Sequence, residues 1–376
     1  MYHLFRSEDR AYQSGAILLS RQALRPCGKC GWVKQSVRAI QWLKENDFTL
    51  CTSLGLQTWD LITSLGAIHD LGLEILIPCA DRDDFRTRAV ETCTQFNLNR
   101  LTTRFLPVFN HDETDDVRQK RDREIIARAK VILPVSIRPG GYMDSLIKER
   151  EPDDKAVNRD FAIEYEGSSA PMAYKIDPEK INPRLRWLED SFLIHWTRTC
   201  NSAWPTERLI DYYRAVLESN CYPRSAFDTL KNILRMKTVV ASSKNMPGKT
   251  ATVSFSNCPP LTMVKLMTWR ARYRVMSFEP YGIGIDKQTA LAMNILPVNY
   301  YDRNGGAAVD TKHWLSQSRG EKSDWTAEDE YRHRGDVDIS AVPSDKLIIL
   351  CRAKSESEAI ASRTGLKAMP FTLDEN

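Results

Sequence analysis

The segment Asp47–Pro78, DFTLCTSLGLQTWDLITSLGAIHDLGLEILIP, decides the fold class. It opens with DFTLCTSLG, a short apolar stretch that reads as a strand running into a glycine turn. Leu56, Trp59, Ile62, Leu65 and Ile68 then recur every third residue, the spacing of one helix face, and Gly72 stops the helix. LEILIP follows as a second strand. Two strands joined through a helix make a βαβ unit, and its strands run parallel because the helix carries the chain back across the sheet.

The same alternation extends both ways. Upstream, GAILLS (Gly15–Ser20) is a strand, and WVKQSVRAIQWLKEN (Trp32–Asn46) sets Val33, Val37 and Ile40 at helical spacing. Downstream come a helix in DDFRTRAVETCTQFN, a strand in RFLPVF and a helix in DDVRQKRDREIIARAK. VILPVSI (Val131–Ile137) is a further strand, and PGGYMDSLIKER a turn into a helix. This pattern predicts an α/β doubly wound parallel sheet over residues 1–150. Residues 151–186, with four prolines, many charges and no clear period, read as a connector. Residues 187–376 read as a second, α+β domain. In it the helices Glu207–Ser219 and Ala226–Lys237 precede short strands in TVVASS, ATVSFS, YGIGID, ILPVNYYD and KLIILC.

Bulk properties agree with two domains. The chain has 376 residues, and its 53 basic and 49 acidic side chains leave a net charge of +4, too little to argue for nucleic acid or a membrane surface. No apolar run reaches the roughly 20 residues that cross a bilayer. The stretch MYHLFRSEDRAYQSG carries charges where a signal peptide has its apolar centre, so a cytoplasmic location is expected. Nine cysteines suit reduced thiols better than a disulfide framework. Cys27 and Cys30, in PCGKCGW, have metal-like spacing but lack a second pair, so free thiols are expected there rather than zinc.

Two strand-to-helix loops fall where a doubly wound sheet binds ligands. In TSLGLQTWD (Thr52–Asp60), Gly55 and its small neighbours let backbone N–H groups face outward, next to a helix N-terminus that favours an anion. In RPGGY (Arg138–Tyr142), Gly140 and Gly141 permit close backbone approach and Arg138 can pair with a phosphate. Neither loop is G-x-G-x-x-G or a P-loop, and a glycine turn that merely caps a helix is the plain alternative for each.

Together these pieces resemble a known superfamily. LCTSLGLQTWDLI, RQKRDREIIARAKVILPVSI and RPGGYMDSLI stand in the order and spacing of the SLOG group, which includes DprA and the LOG proteins. Arg121, Asp122, Arg123, Ile125 and Ile126 match its R-N/D-R-x-I-I helix. The resemblance, over residues 15–150, implies a Rossmann-like fold that binds a nucleotide, or DNA or RNA as partner. LOG phosphoribohydrolases place a Thr and a Glu after the PGG turn. Here Tyr142, Met143, Asp144, Ser145 and Leu146 follow it, which implies sensing rather than hydrolysis unless Asp144 replaces the acid.

In the second domain, LIHWTR puts His195 and Thr197 on one side of a strand; a lone His in such a setting is more often a satisfied core residue than a catalytic one. In MTWRARYRV, Arg270, Arg272 and Arg274 would line one face if extended. WTAEDEYRHRGDVDI (Trp325–Ile339) concentrates acids ahead of a strand and by itself reads as a solvated turn. Residues 190–351 resemble an AbiGi-like abortive-infection family through Ser254–Ser256, Trp269, Tyr273, Gly282 to Asp286, Val298, Tyr300, Trp325, Glu328, Glu330, Tyr331 and Arg332. The layout of an early strand with His, a middle strand with Ser and a late acid is similar to ADP-ribosyltransferase-like folds of the DarT type. That resemblance implies NAD as substrate, with Glu330 as the acid, Glu328 as its alternate and His195 at the ribose. Arg272, Thr197, Ser254 and Tyr281 would surround the cofactor. A carboxylate there would stabilise an oxocarbenium-like state.

The expected function is therefore an NAD-consuming transferase or glycohydrolase coupled to a nucleotide-sensing domain, in a bacterial defence setting. The alternatives are a non-enzymatic nucleotide- or nucleic-acid-binding protein, and a nucleotide-processing enzyme working at the first domain's glycine loops.

Overall fold

The computed structural model describes residues 13–22, 25–109, 116–151, 156–167, 176–244, 246–271, 274–302, 312–319 and 326–373. They form two compact units, Met1–Ala170 with Asn201–Pro223, and Pro171–Cys200 with Arg224–Asn376.

In the first unit, β1 (Ser14–Leu19), β2 (Thr49–Ser53), β3 (Leu73–Cys79), β4 (Thr103–Phe109) and β5 (Val131–Ser136) form an all-parallel sheet in the order β4-β3-β2-β1-β5. The helices α1 (Gly31–Glu45), α2 (Gln57–Ile68), α3 (Arg82–Phe96), α4 (Val117–Arg128) and α5 (Tyr142–Arg150) alternate with the strands, so the domain is doubly wound α/β. Every residue of β2 and β5 is buried, because helices cover both faces of the sheet. On one face Ile17, Leu50, Ile75 and Phe105 pack with Val33, Ile40, Leu61, Ile62 and Phe85 of α1–α3. On the other, Leu18, Leu76, Leu106 and Ile132 pack with Ile125, Ile126, Leu146 and Ile147 of α4 and α5.

Two segments differ from the sequence reading. The first half of the connector runs along the outer edge of β5. There the Ile132 N–H donates to Ala156 O at 2.7 Å and the Ile163 N–H to Val135 O at 2.7 Å, which blunts an open strand edge. The helix expected at Glu207–Ser219 forms as α6 (Leu209–Glu218) but belongs to the first unit, where Tyr212, Tyr213 and Val216 enter the core beside α2 and α3. An amphipathic face is legible in sequence; which apolar surface it covers is not.

The second unit is α+β. Its main sheet holds β6 (Phe192–Trp196), β7 (Thr252–Ser256), β8 (Gly282–Asp286), β9 (Leu296–Pro297), β10 (Glu330–Arg334), β11 (Leu347–Cys351) and β12 (Ala368–Pro370), in the order β9-β10-β7-β6-β8-β11-β12. All neighbours are antiparallel except β11 and β12. One face carries Leu193, Val253, Phe255, Ile283, Ile285 and Ile349 against α7 (Ala226–Met236) and α9 (Lys354–Thr364), with the short α8 (Lys287–Ala292) between them in sequence. The opposite face carries Ile194, Trp196, Ile348 and Leu350 against Leu185, Met263 and Phe371. No helix among the described residues is long and apolar enough to cross a membrane.

Candidate functional site

The first unit holds a cleft of about 650 Å³ beyond the C-terminal ends of its parallel strands. Leu54, Gly55 and Leu56 after β2 form one wall, and Ile77–Ala80 at the end of β3 another. Asp84, Arg88 and Gln95 of α3, Arg118 and Arg121 of α4, and Leu209 of α6 complete it. Gly55 has φ +85°, which only glycine adopts without strain, and no atom lies within 4 Å of where its Cβ would be. Its N–H donates to Asp60 Oδ1 at 2.9 Å. No side chain caps α2 at Leu56, and a helix N-terminus of this kind favours an anion.

Asp60 lies at the base of this turn, and burial pushes its carboxyl up to about 6, against the lowering pull of the Gly55 N–H and Arg121. Arg121 is itself committed. Its Nε and Nη2 donate to Asp122 Oδ1 at 2.9 and 2.7 Å, and its guanidinium lies 5.4 Å from the Trp59 ring centroid. Arg88 donates to Asp84 at 2.8 Å. Arg118 is exposed and has no acidic partner among the described residues, which leaves it the cation best placed to meet an anionic ligand.

The RPGGY turn has a different fate. The Arg138 N–H donates to Ser20 Oγ at 2.8 Å. Gly140, with φ +67°, donates its N–H to Asp144 Oδ2 at 2.9 Å, and Asp144 also accepts from Lys148 at 2.9 Å. These two bonds hold the Asp144 carboxyl below the usual carboxylate range. Gly141 sits against the Arg138 carbonyl. Between β1 and β5 the Gln22 side chain donates to the Ser20 and Ser136 carbonyls at 3.0 Å each. Arg138, Gly140 and Gly141 therefore do not line the cleft; Gly55 does. Asp60, Arg118 and Arg121 were not singled out as ligand-facing by sequence. The signal for Asp60 lay five residues past Gly55, one helical turn into α2.

In the second unit, Glu330 and Arg332 sit two apart on β10 and so share a face. Arg332, with 3% of its side chain exposed, donates from Nε to Glu330 Oε1 at 2.9 Å and from Nη2 to Oε2 at 2.7 Å. Its remaining donors reach Trp314 O at 2.9 Å and Gln317 Oε1 at 2.7 Å. The Ser254 hydroxyl donates to Glu330 Oε1 at 2.6 Å, and the Glu330 N–H to the Tyr300 hydroxyl at 3.1 Å. Burial pushes Tyr300 up to about 12. Both Glu330 carboxyl oxygens are thus engaged.

Glu328 stands apart from it. Two residues apart, Glu328 and Glu330 would share a face if both lay on one strand. Instead Glu328 ends a short 3-10 turn (Thr326–Glu328), and Asp329, at φ +42°, reverses the backbone before β10 starts. Glu328 makes no hydrogen bond or ion pair through its carboxyl among the described residues. Burial first, then the charge of Glu330, push it up to about 7, against the opposing pull of Arg270, Arg332 and Arg198.

His195 does not join this cluster. The registers pair Glu330 with Ser256 and Ile194 with Ser256, so Glu330, Ser254 and Ile194 share one face of the sheet. His195 alternates to the other, edge-on to Phe255 with ring centroids 5.8 Å apart, and its Nδ1 meets the Ser254 carbonyl at 2.9 Å. Burial lowers its pKa, which keeps it neutral. The Thr197 hydroxyl is buried between the Ala226 and Tyr281 carbonyls, and Tyr281 donates to Glu356 at 3.0 Å. Both are tied into the fold. Trp269–Arg270 pairs antiparallel with Val275–Met276 and Arg274 has φ +51°, so Arg270 and Arg274 do not line one extended strand. Arg272, Tyr273 and Trp325 lie outside the described residues. Among the described residues, no group of three or more His, Cys, Asp or Glu is placed to hold a metal ion.

No family model matches the chain. No curated protein matches it either. Among solved structures, the chain is similar to DNA processing protein A of Helicobacter pylori, which binds single-stranded DNA, with 14% identity over 39% of this chain and a TM-score of 0.30. It is also similar to DNA processing protein A (DprA) of Streptococcus pneumoniae, with 14% identity over 39% of this chain and a TM-score of 0.25. The matches span 63% and 58% of those two proteins. Likenesses this slight leave the chemistry of this chain to be read from its own residues.

Proposed function

We propose that the first unit is a nucleotide-binding module whose ligand occupies the cleft above Gly55. The observation that carries this reading is the place of the cleft. It lies beyond the C-terminal ends of parallel strands, at the uncapped start of α2, where doubly wound sheets take phosphate-bearing ligands. Arg118 supplies a free cation, and Leu54, Pro78 and Phe96 supply apolar surface for a base. Titration calorimetry of the full chain with nucleoside mono- and triphosphates and a single-stranded oligonucleotide tests it. Arg118→Ala is expected to weaken binding about tenfold, the loss of one charged hydrogen bond. Gly55→Val is expected to abolish it by straining the turn. Absence of binding by all three probes, or binding indifferent to both variants, removes the reading.

A second reading is favoured by the unequal acids of the second unit. A carboxyl pushed up to about 7 beside one clamped by an arginine suits general acid–base chemistry at a glycosidic carbon. In this reading the second unit cleaves the nicotinamide–ribose bond of NAD, and Glu328 rather than Glu330 moves the proton. Nicotinamide leaves neutral with the C–N electron pair, so the proton moved is that of the attacking water, which Glu328 accepts; burial, then the charge of Glu330, place Glu328 near neutrality for that role. Nicotinamide release from NAD should fall about 100-fold in Glu328→Gln. Equal rates in wild type, Glu328→Gln and Glu330→Gln would end it.

A further inference from the structure

Two thiols outside both candidate sites are held face to face. Cys27-Gly28-Lys29-Cys30 is a β-turn closed by the Cys30 N–H on the Cys27 carbonyl at 3.0 Å. The Cys27 N–H points at Cys30 Sγ at 3.4 Å, and the two sulfurs are 3.6 Å apart. Both side chains are half-buried, so reagents in solvent reach them. Five of the other seven cysteines are buried; Cys200 is half-buried and Cys221 exposed.

The turn is also fixed from outside. Gly28 donates its N–H to Ser219 O at 2.9 Å, and a Cβ there would lie 2.2 Å from Leu217 O, so the turn is wedged against the end of α6. On the other side, Val33 and Lys34 of α1 donate to the Cys30 carbonyl at 3.1 Å each. The backbone on both sides of the pair is already tied down by these bonds. Bond formation needs the sulfurs to close from 3.6 Å to about 2 Å, a movement side-chain rotation within a β-turn supplies.

We propose that Cys27 and Cys30 are a reversible dithiol–disulfide site that reacts with small-molecule disulfides of the glutathione class. The Cys27 thiolate attacks one sulfur of the oxidised reagent and releases one thiol. The Cys30 sulfur, losing its proton, then attacks Cys27 Sγ and releases the second thiol. Two protein thiols and one disulfide become one protein disulfide and two free thiols, with no other reactant. Burial raises the Cys30 thiol, which leaves it less thiolate for the first, bimolecular attack and so leaves it the second, intramolecular one, which proximity favours.

The test is equilibration of the full chain in buffers of stepped glutathione to glutathione disulfide ratio. An acid quench, alkylation of free thiols and peptide mass spectrometry follow. The 27–30 disulfide is expected to form before any other cysteine is modified. It should exceed single glutathione adducts on this turn by about tenfold, because thiols this close present each other at millimolar or higher effective concentration. Cys30→Ser is expected to stop at a stable glutathione adduct on Cys27. The proposal is overturned if both thiols remain alkylatable at the most oxidising ratio. Independent adducts, pairing of either thiol with Cys221, or tightly held zinc that blocks alkylation would overturn it equally.

Discussion

The cleft at the Gly55 turn and the Glu328–Arg332 segment use the same parts to different ends. Each couples a buried arginine to one carboxylate, Arg121 to Asp122 and Arg332 to Glu330, and each leaves a second carboxyl raised by burial. In the cleft that second acid, Asp60, accepts the Gly55 N–H, which opposes the burial that pushes its carboxyl up to about 6. In the second unit the Glu328 carboxyl accepts no hydrogen bond from the described residues, and burial, then the charge of Glu330, push it up to about 7. A backbone donor and a like charge act in opposite directions on a half-buried acid. Asp60 thus holds a turn, whereas Glu328 is left free to exchange its proton.

The largest test of that contrast is Arg332→Ala. Removing one partner strands a buried carboxylate, and chemical denaturation should show a loss of about 3–5 kcal/mol. Arg332→Lys should recover only part of it, since an ammonium cannot engage both oxygens of Glu330 in parallel. A loss under 1 kcal/mol would mean that Glu330 is solvated and that the two regions are not built alike.

Next comes the pH dependence. Glu328 has a folded value of about 7 against an ordinary 4.5, so the native state holds its proton longer than the unfolded chain does. Its contribution to stability is complete below pH 4.5 and is lost as pH rises through about 7. Glu328→Gln should remove that slope and raise stability at pH 8 by about 1–2 kcal/mol, after allowance for partial exposure. An unchanged slope would show that Glu328 titrates as a surface acid.

Gly55→Ala isolates the turn above Asp60. With open space around the new methyl group, only the left-handed backbone is penalised, about 1 kcal/mol by denaturation. Asp60 sharpens the same region through binding. An anion in the cleft favours protonated Asp60, so nucleotide affinity should fall as pH rises through about 6, and Asp60→Asn should flatten that dependence. The smallest effect is expected from Arg138→Ala, whose side chain does not line the cleft: affinity should stay within about twofold of wild type.

Much of the first unit was legible because its signals are local. Period-three helices and largely apolar strands such as VILPVS need no tertiary information to be recognised, and they point to a parallel sheet. The Gly55 loop was legible as well, from one glycine between a strand and a helix. The RPGGY loop carried the same signal, yet its donors are spent on Ser20 and Asp144. No pattern in the sequence distinguishes a glycine turn that is already satisfied from one that is open. In the second unit WTAEDEYRHRGDVDI reads as a charged turn ahead of KLIILC, whereas Glu330–Arg334 is itself a strand whose alternation brings Glu330 to Arg332.

The sequence by itself determined most of the first unit's element types, its parallel sheet and the acidic segment ahead of β11, since these rest on spacing along the chain. Only the tertiary structure decided where α6 packs, which loop borders a cleft, and that His195 and Glu330 face opposite sides of one sheet. Those outcomes depend on strand register and on which distant groups consume each hydrogen bond. A shift of one residue in register exchanges the faces of a strand without altering a single local preference.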